Sequence, residues 1–259
     1  MATVHFLGTC SGTEPMSGMH HSSLVIESGG MNYWFDAGEC CSHTAYVSGV
    51  DLMRTRAIFL SHMHIDHTGG LANLFFCFSK LYWRAGMKMI HDNCVDIFAP
   101  DLSLIGAIKS VACNSVDDHS AMKFRLCEHE TRDGVLFEDE NIRVTALHNR
   151  HLGEDGSRGW HSYSFLIETD GKRIVHSGDV KEIEELDALV GDGCDLLIME
   201  TGHHAVRDVC EYAVSHNVRR LRFTHHGREI LEGRAAAEAL IATYPIDAAL
   251  AHDNLLEEL

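Results

Sequence analysis

The sequence predicts an α/β protein with sheets inside and helices outside. Apolar, β-rich runs alternate with amphipathic helical segments along the chain, and no proline-rich linker or charged low-complexity run divides its 259 residues. Five segments rich in His and Asp, "SHMHIDH", "ALHNRH", "HSGD", "METGHH" and "FTHHG", each follow a strand run, the usual place for functional loops. The expectation is one domain over residues 1–259, in two sheet-and-helix halves of roughly 1–120 and 121–259. At 45% hydrophobic and 23% charged, the chain is long and apolar enough for a substantial core.

The elements follow in order. "ATVHFLGTCSG" reads as a strand entering a Gly/Ser loop, "SSLVIES" and "MNYWFDAG" as a hairpin around Gly29 and Gly30, and "RAIFLSH" as the next strand. Leu71, Leu74, Phe75, Phe78, Leu81 and Tyr82 recur at helical spacing, which predicts a helix there. A "VDIFAP" strand and a "DLSLIGAIKSVA" helix follow. The second half begins with strands at "MKFRLCEH" and "IRVTALH" and a hairpin around "DG" in "YSFLIETDGKRIVHSGD". Helices at "VKEIEELDALVG", "AVRDVCEYAVSH" and "RAAAEALIATY" then alternate with strands at "CDLLIMET", "RRLRFTHH" and "DAALAHD".

The loop "LSHMHIDHTGGL" carries the strongest chemical signal. A continuous helix would scatter His62, His64, Asp66 and His67, whereas an extended segment projects His62, His64 and Asp66 to one side. His67 joins them if the chain turns, and Thr68, Gly69 and Gly70 are the residues expected to turn it. Four such groups at one turn are costly to bury without partners. If the five strands are neighbours, their loops open on one edge and surround a binuclear metal pocket.

The charge limits the partners. With 21 Lys+Arg against 38 Asp+Glu the formal charge is −17, which argues against sequence-blind binding to nucleic acid or an anionic membrane. A small anionic substrate remains compatible, because a bound metal reverses the local field. No stretch approaches the roughly 20 apolar residues of a membrane span, and the start lacks a basic region followed by an apolar core, so a cytoplasmic enzyme is expected. The nine cysteines form no repeated Cys-x-x-Cys pairs and are expected to be reduced, with vicinal Cys40 and Cys41 the pair that merits a redox assay. Of the twenty histidines, His5, His43, His91, His119, His129, His216 and His252 are read as structural or surface residues.

"HMHIDH" has the H-x-H-x-D-H pattern of the metallo-β-lactamase superfamily, and "HSGD" and "FTHHG" follow in that family's order. "FLGTCSGTEP", "HHSSLVIESGGMNYWFDAGE", "DLLIMET" and "YPIDAALAHDNLLEEL" resemble the ribonuclease Z and cyclic-phosphodiesterase branch. This resemblance implies a four-layer αββα sandwich and two divalent metal ions. It assigns His62, His64 and His151 to one metal, with His148 the alternate to His151. It assigns Asp66, His67 and His225 to the other, with His226 the alternate to His225, and Asp179 as the bridge. Nitrogen and carboxylate ligands suit Zn²⁺ first, with Mn²⁺ or Fe²⁺ as alternatives.

The same resemblance implies a binuclear hydrolase whose bridging hydroxide attacks a small phosphodiester, cyclic ones included. Asp66 orients or deprotonates the water. His203, or else His204, donates a proton to the leaving alkoxide, with Glu200 orienting it. A homodimer is also implied. Ribonuclease Z itself carries a long arm that grips tRNA, and the segment between His151 and Asp179 is too short for it, so a nucleic-acid partner is not expected. The alternatives are a lactone, carboxyl-ester or thioester hydrolase, then a ribonuclease Z-like nuclease, and from another class a metal-binding sensor. Arg150, Arg158 and Arg228 are candidate phosphate clamps, and Trp160, His161 and Tyr163, in an insertion over 152–163, are candidates for a lid.

Overall fold

A computed structural model describes residues 1–86, 94–112, 124–156 and 159–259. His91, His119 and Arg158 lie outside the described residues. The first sheet contains β1 (Thr3–Gly8), β2 (Ser23–Ser28), β3 (Met31–Phe35), β4 (Thr55–Phe59), β5 (Cys94–Ala99) and β6 (Arg125–Glu130) side by side. Strands β7 (Gly134–Glu138) and β8 (Ile142–His148) begin the second sheet, and β9 (Glu154–Asp155) pairs with β10 (Gly159–Trp160) as a separate ribbon. Strands β11 (Tyr163–Thr169), β12 (Lys172–His176), β13 (Leu196–Glu200), β14 (Arg220–Thr224) and β15 (Asp247–Leu250) complete the second sheet, in the order β15-β14-β13-β12-β11-β8-β7. The last strand, β16 (Leu255–Glu258), returns to the first sheet and pairs antiparallel with β1.

The helices before the crossover are α1 (Cys41–Val47), α2 (Ile65–Thr68), α3 (Leu71–Arg84) and α4 (Leu102–Ala112); those after it are α5 (Asp187–Val190), α6 (Val206–Ser215) and α7 (Arg228–Ile241). Three apolar layers hold them together. Trp34, Ile58 and Ile97 of the first sheet pack under Leu74, Phe75 and Phe78 of α3. Leu197, Met199 and Phe223 of the second sheet pack under Val209 of α6 and Ile230 of α7. Between the sheets, Phe6, Phe35 and Phe59 meet Phe165, Ile174 and Ile198. Phe35 stacks on Phe59 at 5.0 Å and meets Phe165 edge-on at 5.6 Å, contacts worth about 0.5–1.5 kcal/mol each beyond area burial. Three cores between four layers are the αββα sandwich the resemblance implied.

Several local expectations give way. "VKEIEELDALVG" is a 3₁₀ turn over Ile183–Leu186 followed by the short α5, because Glu182 and Glu185 close a capping box and Gly191 ends the run at φ +59. α7 starts earlier than expected and kinks at Gly233. Tyr163 is a buried residue of β11 and so is no part of a lid.

The cysteines also differ from expectation. Cys94 and Cys127 form a disulfide between neighbouring β5 and β6, their Cα atoms 6.6 Å apart, where reduced thiols were expected. Vicinal Cys40 and Cys41 face apart: Cys41 is buried in the core under α3, and Cys40 is exposed. Among the described residues no helix is long and apolar enough to cross a membrane.

Candidate metal centre

Strands β12, β13 and β14 are parallel neighbours, and β8 runs the same way because it and β12 both pair antiparallel with β11. The loops after these four strands therefore leave one edge of the second sheet, and they meet the loop after β4 of the first. That edge, outside the C-terminal ends of parallel strands, is where open α/β sheets place ligands.

His62 and His64 stay extended, but the chain turns earlier than the glycines. Ile65–Thr68 is itself one helical turn, begun at His64, and this turn brings Asp66 and His67 beside His62. Gly69 and Gly70 have ordinary helical backbone angles. Gly70 is needed for close approach instead: a Cβ there would lie 2.1 Å from the Gly38 carbonyl and 2.6 Å from the Cys41 sulfur.

Two triads result, each with its ligand atoms within 4.8 Å of one another: His62, His64 and His151, and Asp66, His67 and His225. In the first, His62 Nε2 and His64 Nδ1 are 3.0 Å apart, near the roughly 3.3 Å expected for two nitrogens on one tetrahedral ion with bonds of about 2.0 Å. In the second, His225 Nε2 is 3.2 Å from Asp66 Oδ2. Asp179 lies between them, its Oδ2 3.8 Å from His62 Nε2, 3.7 Å from His151 Nε2 and 3.5 Å from His225 Nε2, and its Oδ1 3.4 Å from His67 Nε2. His67 Nε2, His151 Nε2 and Asp179 Oδ1 are buried and make no hydrogen bond among the described residues. Convergent orphaned donor atoms of this kind fit divalent cations, which would satisfy them together.

The geometry separates the paired alternatives. His148 turns away, its Nδ1 2.6 Å from Asp133 Oδ2 and its ring stacked on Trp160 at 4.1 Å, so His151 is the one in the pocket. His226 is tied to the Ala251 carbonyl, which leaves His225 facing Asp66. His204 reaches the Val180 carbonyl, whereas His203 lies with its ring 4.8 Å from His151 and 5.9 Å from His225. The His203 imidazole donates from Nδ1 to Glu200 Oε1 at 3.1 Å, and its backbone N–H donates to Glu200 Oε2 at 2.9 Å.

Sequence reasoning missed Asp36. Its carboxylate is 1% exposed and accepts from the Ser61 N–H at 2.7 Å, the Ser61 hydroxyl at 2.8 Å and His67 Nδ1 at 2.7 Å. With the hydroxyl proton committed to Asp36, His62 Nδ1 is the donor to Ser61 Oγ at 3.0 Å. Both histidines are thereby held in the tautomer that presents Nε2 to the pocket. Asp36 and His225 are non-glycine residues at positive φ, 59° and 47°, a conformation that costs energy and concentrates at functional sites. The one available signal for Asp36 was a lone carboxylate at a strand end, in "WFDAGE".

Charge is unevenly shared across the pocket. Burial lowers the pKa of His62 and of His151. Burial opposes but does not cancel the carboxylates around His67, where Asp179 and Asp36 hold the imidazole well above its usual range, nor those around His225, raised to about 9 chiefly by Asp179. Glu200 is lowered to about 2 against the effect of burial, mainly by its bond to His203. Gly202 leaves room here: a Cβ would sit 2.6 Å from His225 Nδ1.

Against known proteins, the profile of the family described as anti-Pycsar protein Apyc1 matches residues 2–223. The chain belongs to that family. A ribonuclease Z of Methanothermobacter thermautotrophicus is 24% identical to this Apyc1-family chain over 300 aligned positions, covering 95% of this chain and 93% of that protein. The match to the Listeria innocua ribonuclease Z, at 27% identity, spans 68% of this chain but only 52% of the relative. In fold, this member resembles the Bacillus subtilis metallo-β-lactamase fold protein YhfI (TM-score 0.74, 16% identity, 99% and 98% of the two chains). It also resembles the short form of human tRNase Z (TM-score 0.72, 22% identity, again 99% and 98%). This member of the Apyc1 family is thus a metal-dependent hydrolase of the metallo-β-lactamase superfamily, on its ribonuclease Z-like side.

Two expectations weaken for this Apyc1-family chain. Relatives that carry the name ribonuclease Z count against setting nucleic acid aside. The proposed phosphate clamps are already paired, Arg150 with Glu185 and Arg228 with Glu14 and Glu232.

Proposed function

We propose that this chain is a binuclear metal-dependent phosphodiesterase acting on a small phosphodiester, cyclic ones included. His62, His64 and His151 would hold one ion and Asp66, His67 and His225 the other, with Asp179 shared. The donor set suits Zn²⁺, with Mn²⁺ or Fe²⁺ as alternatives. When bound, such a pair supplies water activated near neutral pH and stabilises charge on the substrate oxygens.

The chain's own residues supply the rest. Asp36 and Ser61 orient His62 and His67, and Asp66 would orient the attacking water. The observation that carries the phosphodiester reading is His203. Its Nδ1 is engaged by buried Glu200, its ring lies beside both triads, and its side chain is 43% exposed, open to a substrate. Glu200 raises the His203 pKa through their hydrogen bond, against burial, so the imidazolium persists as a proton donor. A donor there matters for an alkoxide, which leaves poorly, and little for a thiolate.

Hydrolysis of RNA is the second reading, favoured by the near full-length match to a ribonuclease Z. The charge of −17 and the pairing of Arg150 and Arg228 favour the small substrate. The test is turnover of 3′,5′-cyclic nucleotides, bis-p-nitrophenyl phosphate, a precursor tRNA, a lactone and a thioester by wild type and His203→Ala. Loss of about 10²-fold or more on the alkoxide-leaving cyclic substrate, with the thioester unaffected, is expected. Equal losses on both would overturn the donor role, and preference for precursor tRNA would favour the second reading.

A further inference from the structure

Outside the metal pocket, a second group of unlike donors converges near the chain's rim. We propose that His20, Glu39 and Cys40 form a separate divalent-cation site suited to Zn²⁺. Their nitrogen, oxygen and sulfur ligand atoms all lie within 4.8 Å of one another, and His20 Nδ1 is 3.0 Å from Glu39 Oε1. Small rotations of these partly exposed side chains close that span to the roughly 3.3–3.8 Å between ligands on one tetrahedral ion.

The backbone holds the donors in place. The His20 N–H donates to Asp253 Oδ2 at 2.6 Å, and its carbonyl accepts from the Cys10 N–H at 2.8 Å. On the other side, the Gly38 N–H donates to the Ser22 carbonyl at 2.9 Å, which fixes the loop that delivers Glu39 and Cys40. Cys40 takes a left-handed backbone, φ 61°, and its thiol is left outside the core that buries its neighbour Cys41. Both loops leave the same edge as the metal pocket, since β3 runs parallel to β4. A cation at this point would tie the rim around His20 to the loop that carries Asp36.

The charge balance is favourable. On binding, the Cys40 thiol loses its proton to solvent and neutral His20 keeps its proton on Nε2, leaving Nδ1 to coordinate. One dication with one thiolate and one carboxylate sums to zero, with the fourth corner left to water. A thiolate and an imidazole select Zn²⁺ or Co²⁺ over Mg²⁺ or Ca²⁺.

Cobalt distinguishes this site from the pocket, whose proposed ligands include no cysteine. Co²⁺-loaded wild type should show a thiolate-to-cobalt charge-transfer band. Cys40→Ser should abolish it and lower bound metal by one equivalent, while Cys10→Ser keeps both. His20→Ala should weaken the same binding event by at least about 100-fold, the upper end of what losing an outer-shell partner costs. Absence of the band in cobalt-loaded wild type, or its survival in Cys40→Ser, would overturn the proposal. Neither outcome bears on the phosphodiesterase reading, which activity tests separately.

Discussion

The two triads of the pocket differ in how their charge is arranged. His62, His64 and His151 are all imidazoles; His62 is backed by a neutral hydroxyl, and burial lowers the pKa of His62 and His151. The other triad contains the Asp66 carboxylate, and further carboxylates stand behind it, Asp36 at His67 and Glu200 3.8 Å from His225 Nδ1. Shared Asp179 first, with Asp36 at His67 and with Asp66 and Glu200 at His225, raises both imidazoles above the usual histidine range against burial. The second triad is therefore built to surround positive charge, whether protons or a cation, whereas among the described residues the carboxylate within 4.0 Å of the first is Asp179. The second should bind its ion more tightly and the first should exchange first.

The largest break in this comparison is expected from Asp179→Asn, because both triads lose their shared carboxylate. The first triad should empty, and kcat/KM should fall on the order of 10³-fold or more, read by metal analysis and steady-state kinetics. Asp36→Asn acts on one side more than the other. It removes the acceptor that orients His67 directly and His62 only through Ser61, so affinity at the second triad should fall about 10- to 100-fold and the difference between triads should narrow. A metal-binding isotherm in which the first triad alone weakens would contradict that ranking.

Glu200→Gln should have the smallest effect. Glu200 raises the His203 pKa, so the donor is present below that raised value and is lost as pH rises through it. Without the carboxylate the alkaline limb of kcat/KM for an alkoxide leaving group should move to lower pH, with activity at acid pH changed least. A limb that stays in place would assign it to another group.

Much of this pocket was legible because local spacing carries it: His62, His64, Asp66 and His67 sit within six residues, and the His and Asp of later loops follow strands with clear apolar patterns. What stayed hidden depends on contacts distant in sequence. Asp36 acquires its meaning from Ser61 and His67, 25 and 31 residues away, and nothing in "FDAGE" announces them. β16 pairs with β1 across nearly the whole chain, and Cys94 meets Cys127 only because β5 and β6 are neighbours. Local spacing also failed to locate the turn: the crowding was plain, but it is Ile65–Thr68 that curls, while Gly70 serves the packing of the Asp36 loop.

Anomalous diffraction at the zinc edge, on holo crystals soaked with a small phosphodiester, tests the division of the pocket most directly. Two peaks are predicted there, one in bonding contact with His62 Nε2, His64 Nδ1 and His151, the other with Asp66, His67 Nε2 and His225 Nε2, and Asp179 touching both. A single peak, or a peak ligated by His148 in place of His151, would contradict it.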